Sequence, residues 1–203
     1  MEALNMRSQK LRAASFAPAA IALLAFFLLP GCKVKVQNGS QEQDKKVDIE
    51  TPLGDIQVSQ QADPRDTGLP VYPRARPKPP ESSDDTKSAN LNISGPGFGV
   101  KLVAIEFVSD DPPRKLVDYY KDQLKQYGKV LECHTSRPVG PAPHSGRKGN
   151  SQPLSCDESD NGSTVELKVG TQANQHIVAI APQGKGSNFA LVYIRTRGKE
   201  DTI

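Results

Sequence analysis

Hydrophobic and polar positions divide the chain into three stretches with different rhythms. Residues 13–30 are almost wholly apolar, residues 33–95 are mostly polar, and apolar runs return after residue 96. In the polar stretch Val47-Asp48-Ile49-Glu50 alternates, as does Asp55-Ile56-Gln57-Val58. Flanking Thr51-Pro52-Leu53-Gly54, they predict a small hairpin. An isolated hairpin is marginal in water, so it must pack on something or stay partly disordered. Residues 69–80 carry five prolines, which favours an extended polyproline II path toward the third stretch.

The third stretch reads element by element. Val100 to Val108, broken only by Lys101 and Glu106, predicts a buried strand. Asp111 then offers a helix N-cap and Pro112 a first helical residue. Leu116, Val117, Tyr120, Leu124 and Tyr127 recur at helical spacing, and Gly128 closes the helix. Val130 to Cys133 predicts a short strand, and the Pro/Gly/Ser-rich residues 135–153 a long loop. Thr164 to Val169 alternates. His176 to Ala181 and Phe189 to Thr196 flank Pro182-Gln183-Gly184-Lys185-Gly186, a hairpin signal. The expected fold is α+β: one helix packed on a small, mainly antiparallel sheet, preceded by a largely irregular N-terminal tether.

Composition narrows this to one modest domain. The chain has 203 residues, 36% hydrophobic, with 16 glycines, 17 prolines and no tryptophan, which excludes a multi-span membrane protein and a large core. The formal net charge is +3, and much of it sits in Arg7, Lys10 and Arg12. The remainder is too near neutral for the dense basic surface of a non-specific nucleic-acid binder, so no nucleic-acid partner is expected.

The basic residues 7–12, the apolar run and Gly31 before Cys32 have the layout of a secretory signal peptide. Ala13–Leu29 would reach about 25 Å as a helix, marginal for a bilayer, so an uncleaved signal anchor is the alternative. Leu29-Pro30-Gly31-Cys32 resembles the lipobox of bacterial lipoproteins. That resemblance implies diacylglycerol on the sulfur of Cys32, cleavage after Gly31 and acylation of the new amino group; Pro30 departs from the small or hydroxyl residue usual there. Two or more acyl chains anchor a protein stably. The family's inner-membrane retention signal, an aspartate after the cysteine, is replaced by Lys33. The resemblance therefore implies the periplasmic face of the outer membrane, in a cell that has one.

Two cysteines remain, Cys133 and Cys156. In an exported chain an even pair reads as a disulfide, with two separate thiols as the alternative. The bridge would close a loop of about 24 residues, worth on the order of 3 kcal/mol. His134 adjoins Cys133, which points the two to opposite faces of a strand and argues against zinc, as does the want of further paired ligands, His144 included. Asp157 to Gly162 is similar to a calcium loop, but alignment on Gly162 puts Lys168 where the bidentate glutamate belongs. Ser145-Gly146 lacks the Gly-x-Ser-x-Gly elbow. Gly95-Pro96-Gly97-Phe98-Gly99 precedes a strand, not the helix a phosphate loop needs. No catalytic residue, metal or cofactor is assigned. The loop 137–153, with Arg137, Arg147 and Lys148, has the charge to meet anionic lipid or wall polymers.

One further pattern links the stretches. Pro70-Val71-Tyr72-Pro73-Arg74-Ala75, then the strand Val103 to Val108, then Tyr119-Tyr120 and Leu124, resembles a group of uncharacterised bacterial envelope proteins, which usually have glycine where Arg74 stands. That resemblance implies no activity. The expected organisation is a signal peptide at 1–31, a tether at 32–95 with a possible hairpin, and a domain at 96–203. The expected function is a lipid-anchored envelope protein acting as a non-enzymatic binding or interaction module. Its partner would be another envelope protein or an anionic wall or lipid polymer. An envelope enzyme without a recognisable motif, and a purely structural envelope protein, are the alternatives.

Overall fold

A computed structural model of the chain describes residues 32–38, 45–81, 87–137, 139, 153–156 and 161–198. Among the described residues there are ten strands: β1 (Lys33–Asn38), β2 (Lys45–Thr51), β3 (Gly54–Ser59), β4 (Arg76–Pro77), β5 (Ser88–Gly95), β6 (Phe98–Ser109), β7 (Leu131–Thr135), β8 (Thr164–Thr171), β9 (Asn174–Gln183) and β10 (Gly186–Arg197). The helix α1 spans Pro113–Leu124, and a 3-10 turn at Lys125–Tyr127 extends it. All strands belong to one antiparallel sheet in the order β1-β2-β3-β5-β6-β10-β9-β8-β7, with β4 pairing β6 beyond the end of β5.

This corrects the expected fold. The sheet is large, not small, and the helix is a short element on one part of it. Nor is the stretch before residue 96 a largely irregular tether, because β1, β2, β3 and β5 come from it. The physical reason is the strand period of two. A strand in a sheet with one wetted face needs apolar residues only at alternate positions. The low apolar content of this stretch is therefore what such strands require.

Alternation sorts the central strands. Ile105, Phe107, Leu167, Val169, Val178, Ile180, Phe189 and Leu191 turn one way and meet Leu116, Val117, Tyr120 and Leu124 of α1 in one buried cluster. Phe107 and Phe189 stack with centroids 5.4 Å apart. Fully burying an aliphatic side chain of this kind stabilises by about 1.5–3 kcal/mol. The opposite face is built of smaller residues, Ala104, Ala179 and Ala190 with Leu102, Ile177, Val192 and Ile194, and Val139 packs on it.

The helix begins where the prolines permit, but its cap differs from expectation. Pro112 is the N-cap residue, in extended conformation, and no side chain caps the helix. Asp111 is occupied otherwise: its carboxylate accepts from Tyr72 Oη at 3.1 Å and from Lys115 Nζ at 2.8 Å. At the other end Gly128, at φ 134°, lets its N–H reach Lys125 O. Among the described residues no helix is long and apolar enough to cross a membrane.

Candidate functional site

The residue that the sequence marks most strongly, Cys32, is exposed, and its thiol is unpaired. It stands immediately before β1, the edge strand of the sheet. The register carries two contrasting faces outward from the core. One row runs Val34, Ile49, Ile56, Ile93, Val100, and the next Val36, Val47, Val58, Leu91, Leu102. On the reverse, Lys35, Asp48, Gln57, Asn92 and Lys101 lie side by side. The four strands β1, β2, β3 and β5 thus form a wing with one apolar and one polar face. Cys32, two residues before Val34, has the strand parity of Val34 and Val36.

Cys133 and Cys156 are disulfide-bonded, with Cα atoms 5.5 Å apart. Cys133 is buried on β7. The bridge holds residues 153–156 against the sheet, and Pro153 adds a β-bridge to Thr171 on β8. Between this segment and the connection from α1 to β7 lies a cleft of about 500 Å³, lined by Tyr127, Lys129, Val130, Leu131, Leu154, Lys168 and neighbours. Lys168 pairs with Glu166 at 3.0 Å, and both side chains are almost wholly buried. Its charge is therefore already compensated inside the protein.

A second cleft of about 540 Å³ opens at the other end of the central strands, among Arg76, Lys78, Glu81, Val108, Asp110 and Lys185. Its cations are largely matched from within. Arg76 forks onto Asp110 with contacts of 2.9 and 3.3 Å. Lys78 lies 3.3 Å from Glu81 and 3.4 Å from the buried Glu106, which Lys87 also approaches at 3.9 Å. Neither cleft presents a strong uncompensated field. Comparison with family models, curated proteins and solved structures finds no match for this chain. No family is therefore assigned.

The segment Pro70–Ala75 is a latch on the helix. Tyr120 Oη donates to Pro70 O at 3.2 Å and accepts the Tyr72 N–H at 3.0 Å. The Tyr72 ring meets Tyr119 edge-on at 5.1 Å. Burial, then the bond to Asp111, pushes the Tyr72 hydroxyl up in pKa. Lys115 and then Tyr72 hold Asp111 below the usual carboxylate range. These groups explain the Tyr-Pro and Tyr-Tyr pattern as packing, with the Tyr72 and Tyr120 hydroxyls both hydrogen-bonded between the segment and the helix region.

The histidines separate. His134 is half-exposed on β7, 3.4 Å from Glu132. His176 is buried, donates Nδ1–H to Thr67 O at 2.8 Å and lies under the Tyr127 ring at 3.9 Å. Burial lowers its pKa, partly offset by the Thr67 bond. His144, Arg147, Lys148 and residues 157–160 of the acidic run lie outside the described residues. Among the described residues no group of three or more metal-binding side chains comes together. Sequence reasoning missed the Glu166–Lys168 and Glu106–Lys78 pairs; the one signal was at Glu106, a charge sharing strand parity with Leu102, Ala104 and Val108.

Proposed function

We propose that the mature protein is an exported lipoprotein, held in the envelope by acyl groups on Cys32, and that it works there as a non-enzymatic binding or interaction module. The observation that carries this is the ordered series of a basic stretch, an apolar run and Leu29-Pro30-Gly31-Cys32. The exposure of Cys32 supports it, because the modified sulfur must be reachable. The Cys133–Cys156 bridge is compatible with an oxidising compartment. Lys33 after the cysteine favours the periplasmic face of the outer membrane where the cell has one. The partner is another envelope protein or an anionic wall or lipid polymer.

Intact-mass analysis of protein extracted from the membrane tests the anchor. The expected mass is that of a chain beginning at Cys32 with diacylglycerol and an N-acyl group. A chain that begins at Met1, or an unmodified Cys32, would refute the lipoprotein reading.

A further inference from the structure

We propose that the apolar face of the wing formed by β1, β2, β3 and β5 docks on the surface of a lipid bilayer, beside the acyl chains of Cys32. The proposal rests on the lipoprotein reading for the position of those chains.

Exposure is the first observation. Six large hydrophobic side chains are exposed among the described residues, and five of them belong to the wing or its turns: Val34 at 59%, Val36 at 60%, Leu53 at 76%, Val58 at 39% and Phe98 at 46%. Single exposed hydrophobics are ordinary, but a contiguous patch on one sheet face marks a contact with a protein or a membrane. Val34 and Val36 are neighbours of the half-buried Ile49 and Val47 on the same face. Leu53 and Phe98 sit in adjoining turns: a Cβ at Gly95 would lie 2.9 Å from Leu53 O and would overlap the Phe98 ring.

Placement is the second. With β1 starting at Lys33, no spacer separates the acylated residue from the sheet. At about 3.3 Å per residue, Val34 and Val36 lie within roughly 14 Å of Cys32 along the chain. Acyl chains inserted from Cys32 bring this strand to the bilayer surface. Lys45, opposite Asn38 at the end of the apolar rows, places a cation at the rim for anionic headgroups. The charged reverse face is left to water.

The edge chemistry argues against a second copy extending the sheet and its apolar face at β1. Pairing two β1 edges about a two-fold axis so that Val34 meets Val36 sets Lys35 directly opposite Lys35 of the other copy. A one-residue slip puts lysines on the apolar face. Lysines at alternate edge positions are a known guard against strand addition.

The chain has no tryptophan, so a single introduced one is a clean reporter. Val36→Trp reports from the apolar face and Gln57→Trp from the polar face; Val34→Trp replaces the first should it fail to fold. Each variant is made as the full chain, extracted from membranes after processing, and reconstituted on phosphatidylethanolamine–phosphatidylglycerol vesicles with or without brominated acyl chains. Intact mass is recorded on each sample, and each variant is also made with Cys32→Ser and mixed with the same vesicles. Tryptophan at 36 is expected to shift to the blue and to be quenched several-fold more strongly by brominated lipid than tryptophan at 57. Equal, weak quenching at both positions with Cys32 acylated overturns docking and leaves the anchor standing. A blue shift that needs no vesicles and grows with protein concentration assigns the face to a second copy and likewise overturns it. An unmodified Cys32 with selective quenching at position 36 sinks the anchor and keeps the docking face.

Discussion

Arg74 is the one residue other than glycine with positive φ, 64°, among the described residues. It occupies the left-handed region, where a side chain costs roughly 1–2 kcal/mol that glycine does not incur. Glycine adopts this conformation without that penalty, so the backbone favours glycine at this position. Arg74→Gly relieves the strain but adds freedom to the unfolded chain. A net gain of about 0.5–1 kcal/mol in urea unfolding is expected. A loss would show instead that the Arg74 charge, which lies near Asp111 and Tyr72, outweighs its backbone strain. His176 carries a second expectation at this scale. Its folded pKa lies below the ordinary 6.5 because the ring is buried. The unfolded chain therefore binds the proton first, and the stability this group contributes is complete above about pH 6.5 and lost as pH falls from there toward its lowered value. Asp111 and Glu132, also lowered, from 3.8 and 4.5, contribute to a later loss at more acid pH. The urea midpoint should drop between pH 7.5 and 5.5, and His176→Asn should flatten that slope. An equally steep slope in the variant would place its origin elsewhere.

The helix and the latch were legible to different depths. Leu116, Val117, Tyr120 and Leu124 are buried as their spacing predicts, because an isolated amphipathic helix displays its core face in the sequence. The role of Asp111 was not legible. A cap is inferred from local sequence, whereas Tyr72 reaches Asp111 across 39 residues. Tyr120 shows the same non-local logic, since one hydroxyl serves both Pro70 O and the Tyr72 N–H. Tyr120→Phe keeps the ring in its pocket and leaves two partly buried backbone groups without that partner. A destabilisation of about 1–3 kcal/mol is expected, measured by chemical denaturation, with proteolysis becoming faster near residues 70–75. An unchanged midpoint would mean that water replaces the hydroxyl at no cost.

At the scale of the molecule, the sequence showed where strands alternate but not how many join. Val47 to Val58 was readable as a hairpin because its turn and its alternation are local. That it continues into β5 and then β6 depends on pairings such as Val58 with Leu91 and Leu91 with Leu102, which leave no local mark. The candidate site divides in the same way. The Cys133–Cys156 bridge is legible from the count of cysteines. The apolar face beside Cys32 exists only once four polar-looking segments lie in register.

The position of β10 has a consequence in time. The last described strand, β10, stands between β6 and β9 and supplies Phe189 and Leu191 to the core. A chain growing from its N-terminus can pair β1, β2, β3, β5 and β6, and later β7, β8 and β9, but these are two separate half-sheets until Gly186–Arg197 emerges. Closure therefore waits for β10, and a chain that stops short of Gly186 lacks its keystone, not a dispensable margin.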